Sequence, residues 1–351
     1  MIRTIRNTSC LWTCVLPGML CTLLAGAAPA EPAAPLDIAG EAIAPGSVRR
    51  VKLRYGDSFD GNALTTPVLI AHGAHKGPVL CVTAAIHGDE LNGIEVVRRI
   101  VHARDPARLS GTVIGVPVVN LLGFARGSRE TPDRRDLNRY FPGRPDGDFA
   151  SRIAYRLFSG VIEPHCHFLV DLHTGSFNRA NLPQLRADLS NPAVRRLAAS
   201  FGTTPVMRKR GSSRMLRRVA SERGIPAVSL EFGESTTLQA AHVEYAVSAL
   251  ETALASLGLV AGRTVEGAVQ PIYEKPFWIR TERGGIFLSR KQLGDMVNAG
   301  EVVGLIANPL TDEQWEIVAP KAGRILGLAS DQFVLPGYGV FHVGQAVMPG
   351  K

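Results

Sequence analysis

Two polar side chains with metal-binding chemistry follow an apolar run early in the sequence. In "AAIHGDELNG", His87 and Glu90 are three residues apart and come directly after "GPVLCVTAAI". On the turn into a helix, this spacing can direct an imidazole and a carboxylate at one point, and such nitrogen and oxygen ligands suit zinc. The pair is common by chance, so on its own it also fits a turn that happens to be polar.

A second histidine ends another apolar segment, "LVDLHTGS". His173 is followed by Thr174 and Gly175, which predicts a strand end facing a cleft, although a hydrogen-bonded core histidine is the alternative. With His87 and Glu90 it completes a set of two histidines and one carboxylate. Such a set leaves a tetrahedral position open for water, as in hydrolytic rather than structural zinc sites.

The segment "VSLEFGES" contributes a candidate general base. Glu231 closes an apolar strand, where an unpaired charge in the core would be costly. A base that takes a proton from an activated water needs a partly desolvated carboxylate within about 3 Å of that water. Glu234 is the rival candidate, and an exposed strand-end glutamate is the simpler alternative.

A polar loop, "GSRETPDRRDLNRYFPG", adds groups that bind anions. Arg129, Asn138 and Arg139 bring two guanidinium groups and an amide, which can hold a carboxylate and polarise a carbonyl. We expect Arg134 and Arg135 to be solvated.

Apolar runs alternate with helical patterns between residues 77 and 258. The predicted strands are 77–86, 111–120, 166–173 and 226–233. The predicted helices are 90–103, 148–162, 191–202, 213–223 and 239–258. Strands that are apolar on both faces and separated by helices predict an α/β fold, with a mostly parallel or mixed sheet covered by helices on both faces.

The remaining segments suggest a chain of four parts. Residues 1–30 resemble a signal peptide, 31–46 are rich in Pro and Ala and predict a linker, and 47–261 form the catalytic domain. From residue 262 the strands are short and turns with Gly and Pro recur, which predicts a small all-β domain over 262–351.

The first thirty residues predict export. Arg3 and Arg6 precede an apolar stretch, and "APA" gives a small-residue cleavage site near Ala30. We therefore expect a periplasmic or secreted protein with no stable membrane span after cleavage. An uncleaved anchor is the rival hypothesis, but Pro17 interrupts the apolar run.

Three of the five cysteines lie in that leader, so the mature chain keeps Cys81 and Cys166. Both occur in apolar runs, and we expect small buried side chains rather than a disulfide.

The diffuse positive charge balance suits a negatively charged substrate or a cell-envelope surface. Without Arg3 and Arg6, 37 of the 39 basic residues remain against 31 acidic ones. No basic stripe with interleaved aromatic residues is present, so we expect no nucleic-acid partner. The arginine-rich segment 207–218 fits either a loop that binds an acidic group or a solvated helix.

In their order, "HGDE", "DLNRYFPG", "DLHTGS" and "LEFGE" resemble the motifs of the succinylglutamate desuccinylase and aspartoacylase family, relatives of the zinc carboxypeptidases. The resemblance covers about residues 50–345. It implies a zinc-carboxypeptidase-like fold with a C-terminal barrel-sandwich domain, which shapes or shields the entrance to the site. It also implies a zinc-dependent amidohydrolase that cleaves an amide next to a carboxylate, typically as a deacylase of an N-acyl amino acid.

The resemblance also assigns roles to the candidate residues. One Zn²⁺ per chain would be held by His87, Glu90 and His173. Glu231 would serve as general base and then as general acid, and Arg129, or alternatively Arg126, would polarise the carbonyl. The substrate carboxylate would be held by Asn138 and Arg139, and a zinc-ligating imidazole would be oriented by Asp136.

Two other functions remain compatible with these motifs. One is a zinc carboxypeptidase acting on short peptides with a free carboxylate, including cell-wall peptides. The other is a non-catalytic binding protein on the same fold. The export signal departs from the family's cytoplasmic members, so the family's usual acyl-amino-acid substrates need not apply. The sequence does not specify the acyl group, the amino acid or the oligomeric state.

Overall fold

The structure is a computed structural model that describes residues 31–58, 60–262, 269–330 and 332–347, so the predicted signal peptide lies outside the described residues. Its strands are β1 (Leu36–Ile38), β2 (Glu41–Ile43), β3 (Ser47–Asp57), β4 (Ala63–His72), β5 (His75–Thr83), β6 (Ser110–Val116), β7 (Phe168–Gly175), β8 (Arg179–Ala187), β9 (Val206–Arg208), β10 (Ala227–Glu234), β11 (Ile272–Arg280), β12 (Gly285–Ser289), β13 (Met296–Val297), β14 (Val302–Ala307), β15 (Gln314–Val318), β16 (Gly323–Ala329), β17 (Phe333–Val334) and β18 (Gly339–Val347). Its helices are α1 (Asn92–His102), α2 (Leu121–Ala125), α3 (Phe149–Leu157), α4 (Glu163–His165), α5 (Pro192–Ala199), α6 (Leu216–Glu222) and α7 (Ala240–Ser256).

A twelve-stranded mixed sheet carries the four polar segments. Its strand order is β13-β16-β18-β11-β9-β8-β10-β7-β5-β6-β4-β3. The central strands β10, β7, β5 and β6 are parallel neighbours. Because parallel strands end at the same edge of a sheet, the residues that follow them come together there.

Helices cover both faces of this sheet, because alternate side chains of its strands point to opposite sides. On β5, Leu80 and Val82 join one core with α1, α5 and α7. Val79 and Cys81 join a second core with α3 and α6. The predicted α/β fold is confirmed. In the described ranges, no helix is both long and apolar enough to span a membrane.

Within residues 31–46, predicted to be a linker, the strands Leu36–Ile38 and Glu41–Ile43 form the β1–β2 hairpin. Ile38 and Ile43 are buried in the second core, so the hairpin belongs to the folded body. The many Pro and Ala residues around these two isoleucines are typical of a linker, so the two short strands were not predicted. Strand β8 was also missed, because its sequence contains Pro183 and lacks regular alternation.

The prediction that the cysteines are unbridged is wrong, since Cys81 and Cys166 form a disulfide. Cys81 lies on β5 and Cys166 just before β7, and their Cα atoms are 5.7 Å apart. They are separated by 85 positions in the sequence. Only the adjacency of β5 and β7 brings them within bonding distance.

The C-terminal strands both extend the main sheet and form a second one. β11 pairs with β9 and β16 pairs with β8, which joins this region to the main sheet. β15, β14, β12 and β17 form a separate four-stranded sheet, with a third core around Phe287 and Phe341. The barrel-sandwich description and the domain boundary at residue 262 remain predictions, and residues 263–268 lie outside the described part of the chain.

Candidate active site

A tight loop after β5 presents His87 and Glu90 to the sheet edge. The amide of Glu90 donates to the carbonyl of His87 at 3.2 Å, which closes a turn and turns both side chains the same way. Gly88 packs against the backbone of Gly123, where a Cβ atom would approach to 2.1 Å. Only glycine fits that contact, so the loop is fixed against its neighbour.

His173 on β7 meets this pair in the interior. Ligand atoms of His87, Glu90 and His173 lie within 4.8 Å of one another, and all three residues are buried. Nδ1 of His87 is 2.8 Å from Oε1 of Glu90, and Nδ1 of His173 is 2.9 Å from Oε2. Both imidazoles thus face one carboxylate, and this donor set fits a zinc ion.

The opposite nitrogen of each imidazole contacts an aspartate. Nε2 of His87 lies 3.1 Å from Asp136, the predicted orienting residue. Nε2 of His173 lies 2.8 Å from Asp171, which also accepts a hydrogen bond of 2.7 Å from Thr83. Sequence reasoning missed Asp171, although its position two residues before His173 on one strand was a usable signal. These contacts fix which ring nitrogens face Glu90.

Electrostatic coupling keeps the cluster charged despite its burial. Burial alone would raise the pKa of Glu90, but the attraction of His87 and His173 holds it well below its usual value. Burial likewise opposes protonation of His173, but Asp171 and Glu90 raise its pKa well above normal. The carboxylate is therefore ionised and available as a ligand.

Arg129 lies beside this cluster and lines the cavity. Its guanidinium donates to Glu90 at 3.3 Å, to the hydroxyl of Ser176 at 2.7 Å and to Asp136 at 2.9 Å. The alternative, Arg126, is exposed and does not line this cavity. Of these two arginines, only Arg129 lies beside the His87, Glu90 and His173 cluster.

Glu231 lines the same cavity and is 5% exposed. It lies beside His173 in the β10–β7 register. Asn181 donates to its Oε2 at 2.9 Å, and Arg186 contacts Oε1 at 3.1 Å. Both partners lie on β8, a strand that was not predicted from the sequence, so their contacts with Glu231 were not predicted either. Glu234 does not line the cavity.

Asn138 and Arg139 both face the cavity. The amide oxygen of Asn138 accepts from the backbone of Leu216 at 2.9 Å, and its amide nitrogen lies 3.3 Å from Nε2 of His173. Asn138 therefore also joins His173 to the start of α6. Arg139 is partly exposed and donates to the carbonyl of Asn138 at 2.8 Å. Arg134 and Arg135 are exposed, as expected.

The arginine-rich segment contributes a buried cation to the cavity. Arg217 is 3% exposed and lines the cavity, and its Nε has no hydrogen-bond partner among the described residues. Burial and the nearby Arg186 lower its pKa to about 10. Burial and the same arginines also lower the pKa of Lys209. The segment thus includes both a helix, α6, and a cation facing the cavity.

These groups surround a single cavity of about 340 Å³. Two acidic residues of the described chain line it, Glu90 and Glu231, whereas five arginines do so. The arginines are Arg129, Arg139, Arg179, Arg186 and Arg217. This excess of positive charge suits an anionic ligand.

Comparisons with known proteins identify relatives of this chain. The family model of the succinylglutamate desuccinylase/aspartoacylase catalytic domain matches residues 76–257. The chain is similar to an N-alpha-acetyl-L-2,4-diaminobutyric acid deacetylase of Halomonas elongata, with 34% identity over 120 residues. That match spans 34% of each protein, about a third of the curated relative's length.

Two solved structures resemble the fold over most of the chain. The product-bound ectoine utilization protein EutE (DoeB) of Ruegeria pomeroyi is 24% identical, with a TM-score of 0.76, and the match covers 90% of this chain and 99% of that one. An aspartoacylase family protein of Mesorhizobium loti is 25% identical with the same TM-score and the same coverage.

The contact between Asp171 and His173 generates a testable prediction. Asp171→Asn should weaken zinc binding about tenfold to a hundredfold, because it removes the charge that orients and polarises the imidazole. Zinc affinity is measured by competition with a chromophoric chelator, with the exposed Asp146→Asn as the control. Unchanged affinity in a folded Asp171→Asn protein would refute this role.

Proposed function

The chain belongs to the succinylglutamate desuccinylase/aspartoacylase family, and on that premise we propose that it is a zinc-dependent hydrolase that removes the acyl group from an N-acyl amino acid. The observation that carries the proposal is the convergence of three components in one cavity. They are the His87, Glu90 and His173 cluster, the carboxylate of Glu231 and a set of arginines. This combination is typical of metal-assisted amide hydrolysis.

One Zn²⁺ per chain would be held by His87, Glu90 and His173. Bound there, it would supply Lewis-acid activation of the attacking water and of the scissile carbonyl. Asp136 and Asp171 keep the two imidazoles oriented, since each contacts the ring nitrogen turned away from Glu90.

Glu231 moves the proton in this proposal. It takes a proton from the attacking water as the water oxygen bonds to the carbonyl carbon, and it then delivers that proton to the nitrogen as the carbon–nitrogen bond breaks. The products are a carboxylic acid and a free amino group. Asn181 and Arg186 hold the Glu231 carboxylate in place, and burial limits its hydration. Arg129 donates to the carbonyl oxygen as negative charge develops on it.

The substrate carboxylate binds at the cationic end of the cavity. Arg139, Arg186 and Arg217 line this end, and Lys209 lies close enough for its pKa to respond to them. The Arg217 guanidinium is buried and lines the cavity, so an anionic partner there would stabilise its charge. An ammonium group on the side chain of the amino acid would be repelled there. We therefore expect an acidic or neutral amino acid rather than the diaminobutyric acid in the name of the Halomonas relative.

The completeness of the site supports an enzyme. The carboxypeptidase alternative would use the same groups, and substrate preference separates it from the deacylase. The ligand set and the base are all present, which supports an enzyme rather than a binding protein on the same fold.

Export to the periplasm or beyond the cell completes the proposal. The basic and apolar leader ending near Ala30 supports export. The Cys81–Cys166 disulfide supports it independently, because disulfides persist mainly in oxidising compartments.

Substitution of the base is the direct test of the mechanism. Glu231→Gln should retain one zinc per chain but lose about a hundredfold to ten-thousandfold in kcat, because the proton acceptor is gone. Amine release and metal content are measured together. Glu234→Gln, at a residue outside the cavity, is the matched control. Turnover that survives in Glu231→Gln would show that the mechanism is wrong.

A substrate panel tests the cationic end of the cavity. N-acetyl-L-aspartate or N-acetyl-L-leucine should be cleaved faster than N-acetyl-L-2,4-diaminobutyrate. Arg217→Met should raise KM about tenfold to a hundredfold through loss of a charge-assisted hydrogen bond, whereas Arg218→Met should not. Preference for the diaminobutyrate with an unchanged KM in Arg217→Met would contradict the proposal. Faster cleavage of a dipeptide with a free carboxylate would favour the carboxypeptidase alternative.

The export proposal predicts the state of the isolated protein. Protein recovered from the periplasm or medium should begin near Glu31, with Cys81 and Cys166 resistant to alkylation until reduced. Replacing both cysteines by serine should lower the free energy of unfolding by about 2–5 kcal/mol, because the bridge closes a long loop. Reduced wild type, the control, should unfold like this variant. An intact leader or two freely alkylated thiols would contradict the proposal.

A further inference from the structure

Two aromatic side chains line the catalytic cavity and remain accessible. Phe177 is 65% exposed and Trp278 is 36% exposed. Large apolar side chains exposed beside polar groups in a concave site are typical of surfaces that become covered by a ligand. Neither residue has a role in the hydrolysis described above.

Trp278 is held in a fixed position by its neighbours. Its ring stacks on His342, its register partner on β18, with centroids 4.5 Å apart and planes 14° apart. The guanidinium of Arg179 lies 4.9 Å from the same ring and 4.3 Å from the ring of Tyr338. At Gly339 a Cβ atom would lie 2.7 Å from the indole, so only glycine leaves room for it. The indole is therefore pre-organised.

Phe177 occupies the tip of the turn between β7 and β8. Phe177 and Asn178 both have left-handed backbones, with φ of 55° and 54°, a conformation that bulky residues rarely adopt. The C-terminal region holds this turn through two hydrogen bonds. The hydroxyl of Tyr338 donates to the carbonyl of Phe177 at 2.6 Å, and the backbone amide of Ser330 donates to the carbonyl of Asn178 at 2.8 Å. Strain retained in this way is common at ligand sites.

Phe177 lies on the side of the cavity where the acyl substituent of the substrate would extend. Its ring lies 5.4 Å from the guanidinium of Arg129, which donates to the scissile carbonyl in the proposed mechanism. The substrate carboxylate belongs at the cationic end with Arg139 and Arg217. With the carboxylate anchored there and the carbonyl at Arg129, the acyl substituent extends from the carbonyl carbon past Phe177.

We propose that Phe177 and Trp278 form an acyl-binding wall and that the preferred acyl group is apolar and larger than acetyl, such as an aryl or medium-length alkyl acyl group. This rests on the proposed function, because it assigns a substituent of the same substrate. An acetyl group is too small to cover both rings, whereas an aryl or alkyl chain would bury them.

The test compares acyl groups on one amino acid, using the zinc-loaded full chain. N-acetyl, N-hexanoyl, N-benzoyl and N-succinyl derivatives of L-aspartate and of L-leucine are assayed for kcat/KM. In the series that is cleaved, the benzoyl or hexanoyl derivative should exceed the acetyl derivative by about tenfold or more. Phe177→Ala and Trp278→Ala should each reduce that ratio several-fold.

Matched variants distinguish a specific loss of the acyl-binding wall from a general loss of folding. Trp315→Ala removes another tryptophan of the C-terminal region, one that packs against Arg283 and does not line this cavity, and should leave the ratio unchanged. Zinc content and thermal unfolding are recorded for every variant, and Phe177→Leu should retain most of the preference.

The outcomes distinguish this inference from the proposed function. If the acetyl or succinyl derivative is the best substrate, or if the ratio survives both alanine variants, the acyl-binding wall is wrong while the deacylase proposal stands. If no derivative is cleaved by the zinc-loaded protein, the deacylase proposal fails and the wall fails with it.

Discussion

The site depends on one buried carboxylate, that of Glu90, which is 2% exposed. Burying an unpaired carboxylate costs several kcal/mol, so the fold must surround it with partners. His87 and His173 provide two of them, and the backbone amide of Thr174 and the hydroxyl of Ser176 donate at 3.0 Å and 3.1 Å. Arg129 adds a fifth contact. These partners come from three separate segments, so satisfying one charge fixes the relative positions of the loop after β5, the end of β7 and the arginine loop.

The parallel centre of the sheet makes this convergence possible. β7 lies between β5 and β10, which brings His173 beside both Glu90 and Glu231. The same adjacency of β5 and β7 joins Cys81 to Cys166. The covalent bond therefore lies in the strand pair that holds the proposed metal ligands, away from the cavity, where it stabilises the scaffold without taking part in the chemistry.

Strands outside the parallel centre supply the electrostatics and the shape of the cavity. β8 contributes Arg186 and Asn181, which hold Glu231, and the C-terminal strand β11 contributes Trp278. Because β16 pairs with β8 and β11 pairs with β9, the C-terminal region forms part of the cavity wall. Because arginines outnumber carboxylates around the cavity, the potential is positive where a substrate anion would bind.

The sequence alone determined the alternating α/β pattern, the residues His87, Glu90, His173 and Glu231 as chemical candidates, and the family. These follow from local periodicity and short motifs, in which neighbouring residues carry the information. Tertiary structure decided what depends on strand order. It brought Asp171 to the imidazole of His173, turned Arg217 into the cavity and paired the cysteines. It also placed Trp278 in the wall of the cavity that His87 lines. The physical reason is that cross-strand contacts join residues far apart in sequence, and no local pattern specifies which strands become neighbours.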